Sequence, residues 1–280
     1  MAYDAEGKES TAISGTGCRK IDIHCHTTNR RLRGLAVESA TLDDILANMH
    51  SYDIEETFLL ATYFPQKHSG ISNFRLFNWI DGVSELAMFG SLDFEHYFFQ
   101  GYNELEELAA EGKIRGIKIY TCYQNIDLLG EKMGMVKMLA ARYKLPLMFH
   151  GGDAHKENKI ARVSPLEIEQ CIRGYAHPVI ISHLANPYLD ELIDVVRRNS
   201  HVYSDSSGLL NSIHRAEIPG CIEMLKRYVG ECGPERLLFG TDFPLQTHAD
   251  SVMMVEEALE GYSAVDKQKV YYENARRLLP

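Results

Sequence analysis

Residues 21–26 read Ile21-Asp22-Ile23-His24-Cys25-His26. The alternation of apolar and polar side chains is that of a β-strand, and His24 and His26, two apart, share a face. Cys25 then points the other way and is expected to pack. Two histidines on one face of a short strand pose a question of chemistry, and the sheet that carries the strand decides it.

Working outward, the run is the first of eight of its kind: KIDIHCH (20–26), ETFLLATYF (56–64), LAMFGSLDF (86–94), IRGIKIY (114–120), LPLMFHG (145–151), PVIISHL (178–184), HVYSDSSG (201–208) and RLLFGTDFP (236–244). Amphipathic segments lie between them, among them TLDDILANMHSY, YNELEELAAEG, LGEKMGMVKMLAARYK, SPLEIEQCIRGY and NPYLDELIDVVRRNS. Thr41 and Ser164, the latter followed by Pro165, are placed to cap two of these helices. Near-continuous apolar strands are buried on both faces, as parallel strands are. Eight strand–helix units in a row predict an α/β fold, a single (β/α)₈ TIM barrel. An open doubly wound sheet usually has fewer strands, and no Gly-x-Gly-x-x-Gly turn follows the first strand to suggest a dinucleotide site.

The chain has 280 residues, 45% of them hydrophobic and 24% charged, a composition suited to one globular barrel. Residues 1–19 are polar and aperiodic and are expected to form a flexible lead, with the barrel domain spanning 20–280. A net charge of −10 argues against nucleic acid, whose phosphates need clustered Lys and Arg. No run approaches the length of a membrane span, and the N-terminus lacks the apolar core of a signal peptide. Six cysteines without a Cys-x-x-Cys pair fit a reducing compartment, so the expected location is cytoplasmic. The partner expected is a small-molecule substrate, and a homo-oligomer is compatible with the composition.

In a (β/α)₈ barrel the chemistry sits at the carboxyl ends of the strands. Those ends carry His24 and His26 on the first strand, His150 on the fifth, His183 on the sixth and Asp242 on the eighth, with Lys118 on the fourth. One histidine at a strand end is more often a hydrogen-bonded structural residue. Four at one rim, with a carboxylate, form a donor set suited to Zn²⁺, Fe²⁺ or Mn²⁺ with a position left open. Asp205, in the seventh strand, is placed to support the metal histidines from behind.

IDIHCH, PLMFHGG (146–152), VIISHLA (179–185) and LLFGTDFP (237–244), in this order, resemble the amidohydrolase superfamily. The likeness is to its amidohydrolase-2 branch of metal-dependent hydrolases and decarboxylases, and the ending VYYENARRLLP is similar to that branch too. The resemblance runs from about residue 20 to the end. It implies one divalent metal ion, expected to be Zn²⁺ with Mn²⁺ or Fe²⁺ as alternatives, held by His24, His26, His150 and Asp242. Asp242 and His183 are the implied catalytic residues, Asp242 as proton acceptor and His183 beside the metal, in contact with water or substrate. Lys118 matches the strand-four lysine of the branch. GIKIY resembles the mononuclear members, which implies a free ammonium, paired with Asp22 or with a substrate carboxylate, rather than a carboxylated bridge. TatD-type nucleases share the first strand's motif but place a glutamate on strand four, where this chain has Lys118.

The implied activity is a hydrolase that activates water on the metal to attack a small carboxylate-bearing lactone, ester or amide. A decarboxylase of a small unsaturated or aromatic acid is the alternative on the same donor set. Either substrate needs a cation for its carboxylate: Lys118, Arg30, Arg31, Arg33, Lys156 and Arg162 are the candidates. Tyr63, Phe64, Tyr120 and Tyr123 are placed to wall a pocket. The loops after the first, second and fifth strands read as short, predicting a compact pocket.

Overall fold

A computed structural model describes residues 17–63, 70–156, 159–210 and 214–279. All eight predicted strands form: β1 (Lys20–Cys25), β2 (Ile54–Leu60), β3 (Leu86–Gly90), β4 (Gly116–Ile119), β5 (Leu147–Phe149), β8 (Val179–Ile181), β9 (Val202–Asp205) and β10 (Leu237–Leu238). They pair in parallel in chain order. Asp242 N donates to His24 O at 2.7 Å and His26 N to Phe243 O at 2.8 Å, so the last strand meets the first and the barrel closes. The remaining strands, β6 (Gly152–Lys156) and β7 (Lys159–Val163), form a separate antiparallel hairpin.

The helices are α1 (Leu42–Ser51), α2 (Asn73–Ile80), α3 (Phe98–Ala110), α4 (Glu131–Arg142), α5 (Pro165–Cys171), α6 (Leu189–Arg198), α7 (Ile218–Cys232), α8 (His248–Ala258), α9 (Ala264–Gln268) and α10 (Asn274–Leu278). Thr41 and Ser164 cap α1 and α5, each in a reciprocal box with Asp44 and Glu167. Among the described residues no helix is long and apolar enough to cross a membrane.

Two apolar cores separate the layers. Ile21, Ile23, Phe58, Phe89, Met148, Ile180 and Leu238 fill the barrel interior, where Tyr272, Ala275 and Leu279 of the C-terminal segment join them. A larger core lies between strands and helices, and Cys25 belongs to it, as its outward position on β1 required. Asn274 Nδ2 donates to Pro234 O and Leu237 O, both at 2.8 Å, and ties that last segment to the base of β10.

Three expectations change here. The loop after β1 runs from 26 to 41 and a hairpin follows β5, so those loops are not short. The hairpin strands carry alternating charged residues (GDAHK, KIARV), which read as solvated loop because a two-stranded ribbon outside the barrel has little core to face. Of the expected lead, residues 1–16 lie outside the described residues. Cys18, by contrast, is buried in the outer core, and Arg19 stacks over Tyr272 at 4.2 Å.

Candidate metal centre

On β1 simple alternation fails in a way that makes the site. Ile21 and Ile23 face the barrel interior, so strict alternation would turn His24 outward. The β1–β2 register slips between Asp22 and Cys25, where Asp22 pairs with Thr57 but Cys25 with Leu59. This extra residue is a bulge, and it re-aims His24 to the same interior side as Ile23. His24 and His26 both reach the mouth of the barrel, and Cys25 remains in the outer layer.

At that mouth, ligand atoms of His24, His26 and Asp242 lie within 4.8 Å of one another. Asp242 Oδ1 is 3.2 Å from His26 Nε2 and 3.5 Å from His24 Nε2. His150 stands one step further round: its Nδ1 is 3.1 Å from His183 Nε2, and the His183 ring is 4.8 Å, centroid to centroid, from that of His24. His24, His150, His183 and Asp242 are buried, and His26 is the most accessible.

Hydrogen bonds fix which nitrogens are bare. Asp205 Oδ2 lies 3.1 Å from His24 Nδ1 and can only accept, so that nitrogen carries the proton and Nε2 is a lone pair. A bare imidazole nitrogen 3.5 Å from a carboxylate oxygen sets two electron-rich atoms face to face, an arrangement that calls for a cation between them. The charge states agree. Burial, with Lys118 adding to it, pushes the His24 imidazole down to about 3, so it stays neutral. Burial pushes the Asp242 carboxyl up, but the hydrogen bond with His26 works against it and the group is held below its ordinary range. His150 is also held neutral, by burial and by its neighbours His183 and Lys118. Neutral imidazoles, a carboxylate and a buttressing Asp205 are the donor set and outer support a divalent ion takes.

Ser207 was not singled out in the sequence, where SDSSG reads as a turn. Its Oγ donates to Asp205 Oδ1 at 2.6 Å and sits 2.9 Å from His24 Nδ1 and 3.1 Å from His183 Nδ1. Its carbonyl lies 3.0 Å from His183 Nδ1, so His183 too carries its proton there and bares Nε2. Backbone geometry contributes as well. Asp242 has φ 58° and His183 to Ala185 have φ 63°, 46° and 49°, left-handed values that non-glycine residues adopt at a cost and that recur at functional sites.

Lys118 is fully buried and donates to Ser182 Oγ at 3.1 Å. Its expected pairing with Asp22 does not occur: Asp22 turns to the outer layer and accepts from His24 N, Thr241 N and Thr241 Oγ1. Burial lowers the Lys118 ammonium to about 8, against the pull of Asp205 and Asp242.

The open space above these residues is a cavity of about 410 Å³. Lys118, Tyr120, Tyr123, Arg30, Arg31 and Arg33 line it together with His24, His26, His150, His183 and Asp242. Arg162 is not among its lining residues; it sits 3.6 Å from Asp153 and borders a separate depression. Tyr63 also turns away, donating its hydroxyl to Glu104. Phe64 and the Lys156 side chain lie outside the described residues.

An eight-stranded parallel barrel with this donor set at its carboxyl-end mouth defines a metal-dependent enzyme. The chain belongs to the amidohydrolase family, whose profile matches residues 83–280. Among solved structures, it is similar to a zinc-bound amidohydrolase from Burkholderia multivorans, at 17% identity over 94% of this chain and 100% of that one, TM-score 0.66. A Pseudomonas putida protein provisionally described as a 2-pyrone-4,6-dicarboxylic acid hydrolase matches at 19% identity over 93% and 97%, TM-score 0.67. A manganese-bound dihydroxybenzoic acid decarboxylase from a Polaromonas species matches at 14% identity over 93% and 96%, TM-score 0.66. At these identities the likeness is one of fold. No curated protein matches the chain.

Proposed function

We propose that the protein hydrolyses a small carboxylate-bearing lactone, ester or amide, with one Zn²⁺ held by His24, His26, His150 and Asp242. The observation that carries this reading is the bare His24 Nε2 facing Asp242 beside His26, with Asp205 holding the far side of the ring. When bound, the ion polarises a carbonyl and lowers the pKa of water towards about 7. Asp242, kept as a carboxylate, accepts the water proton and delivers it to the leaving group. His183, with Nδ1 committed to Ser207 O and Nε2 turned to His150 Nδ1 at 3.1 Å, stands beside the metal position, where it orients the water once His150 is engaged by the ion. Lys118 supplies a cation inside the cavity for the substrate carboxylate, and Tyr120 and Tyr123 shape its walls.

The same residues can serve a decarboxylase, because the difference lies in how the substrate carboxylate faces the metal. Products decide between them. Turnover in ¹⁸O-labelled water should place the label in a newly formed acid. Release of carbon dioxide in step with substrate loss, without label incorporation, would assign the protein to the decarboxylases.

A further inference from the structure

We propose that the root of the β6–β7 hairpin is a positioning element of the metal centre: the Asp153 carbonyl holds the Nε2 proton of His150, so that His150 meets the ion through Nδ1. This rests on the reading above that His150 is a ligand. A histidine that binds a metal through one nitrogen commonly donates the proton of the other to a carboxylate or a carbonyl. For His24 that partner is Asp205. Behind His150 stands a backbone carbonyl instead, since its Nε2 lies 3.4 Å from Asp153 O at the start of the hairpin. On the other side of the ring Nδ1 is 3.1 Å from His183 Nε2, and the His183 ring lies in turn against that of His24. Nδ1 is thus the nitrogen turned towards the other ligands.

A neutral imidazole has one proton for these two contacts. On Nδ1 it would be donated to His183 and leave a bare Nε2 against a carbonyl oxygen. On Nε2 it is donated to Asp153 O and leaves two bare nitrogens facing each other. An ion at the mouth relieves the second arrangement and not the first, so with metal bound the proton belongs on Nε2. The carbonyl can hold it there because the chain around it is fixed. Asp153 N donates to Asn186 O at 2.9 Å and Asn186 N to His183 O at 3.0 Å, which ties the hairpin root to the turn that presents His183. Cys122 Sγ donates to Gly152 O at 3.3 Å, and Arg162, paired with Asp153 across the ladder, sits 3.6 Å from its carboxylate. Gly152 has φ 85°, and a Cβ there would come 2.1 Å from Asn186 O, so this close approach requires glycine. The Tyr123 ring meets that of His150 edge-on at 5.1 Å and limits its rotation.

Long-range proton–nitrogen NMR correlation of the zinc-loaded protein, with ¹⁵N-labelled histidine, tests this. His150 should carry its proton on Nε2 and the metal on Nδ1, the reverse of His24, whose Nδ1 proton Asp205 holds. Gly152→Ala, which displaces the hairpin root, should lower zinc affinity by about tenfold or more in competition with a chelating dye. Zinc on His150 Nε2 in the wild type, or a Gly152→Ala variant that keeps full zinc affinity, overturns the inference and leaves His150 among the ligands. A His150 ring whose nitrogens zinc does not shift overturns both the inference and the ligand set beneath it. Should Gly152→Ala fail to fold, the wild-type spectrum alone decides.

Discussion

At the scale of single residues, the proposed function assigns some groups to hold the metal and others to act beside it. Both histidines commit Nδ1 to a neighbour, but the bare Nε2 of His24 faces the Asp242 carboxylate whereas that of His183 faces His150. His24→Ala should therefore strip most of the metal. His183→Asn should leave metal content nearly intact and lower turnover by on the order of a hundredfold, as loss of an acid–base group does. Equal metal loss in both variants would reverse the two roles. Gly208 is a subtler test: it has φ 60°, and a Cβ there would come 2.6 Å from Asp242 Oδ2 and 2.7 Å from His183 Nδ1. Gly208→Ala strains the backbone by about 1–2 kcal/mol and crowds the two groups. We expect metal affinity to fall by on the order of tenfold, the range seen when support around a ligand is disturbed, and titration with a metal-chelating dye reads it directly. The ligand candidates were legible because strand ends in a barrel announce themselves in the pattern. Ser207 was not, because a small hydroxyl in a glycine-bearing turn looks the same whether or not two imidazoles lean on it.

At the scale of elements, the β1 bulge matters most. Period-two alternation puts His24 and His26 on one face, but which face depends on the register with β2, and no local pattern encodes that slip. The adjoining outward residues, Asp22 and Cys25, meet His248 at the start of α8, where His248 Nε2 lies 3.7 Å from Asp22 Oδ2. Burial pushes the His248 imidazole from 6.5 down to about 4. As pH falls through that window the unfolded chain takes this proton first, so the His248 contribution to stability is lost, by about 3 kcal/mol. Asp22 has the opposite sign: burial raises it from 3.8 to about 7, and its proton favours the fold over much of the same range. The two nearly cancel in the wild type. His248→Phe should unmask the Asp22 effect, giving urea midpoints that rise relative to wild type as pH falls from about 6.5 to about 4. Parallel pH profiles for the two proteins would show that His248 is not held neutral. The hairpin β6–β7 marks the other limit of reading at this scale, since its charged alternation gives no apolar face to reveal a strand.

At the scale of the whole molecule, the order of eight strands and the closure of the barrel follow from the repeat of apolar strand and amphipathic helix, which is why the fold could be read end to end. What the repeat does not specify is where long loops carry charge, and there the molecule is strongly asymmetric, acidic overall yet cationic around one cavity. The proposed ligands come from β1 and from beyond the ends of β5 and β10, and the closure made of His24 and Phe243 carbonyls would link metal binding to the closed barrel. Saturation at a hundredfold over its dissociation constant should add about 2.7 kcal/mol of stability by mass action, seen as a higher melting temperature that chelation reverses. The central claim is that one ion sits among His24, His26, His150 and Asp242 while Lys118 keeps a free ammonium. Anomalous-difference crystallography of the zinc-loaded protein tests it most directly: we predict a single peak bonded to those four side chains at about 2.0–2.2 Å, with no density beyond the Lys118 nitrogen. Two peaks bridged by a carboxylated Lys118, or one peak that leaves out His150 or Asp242, would contradict it.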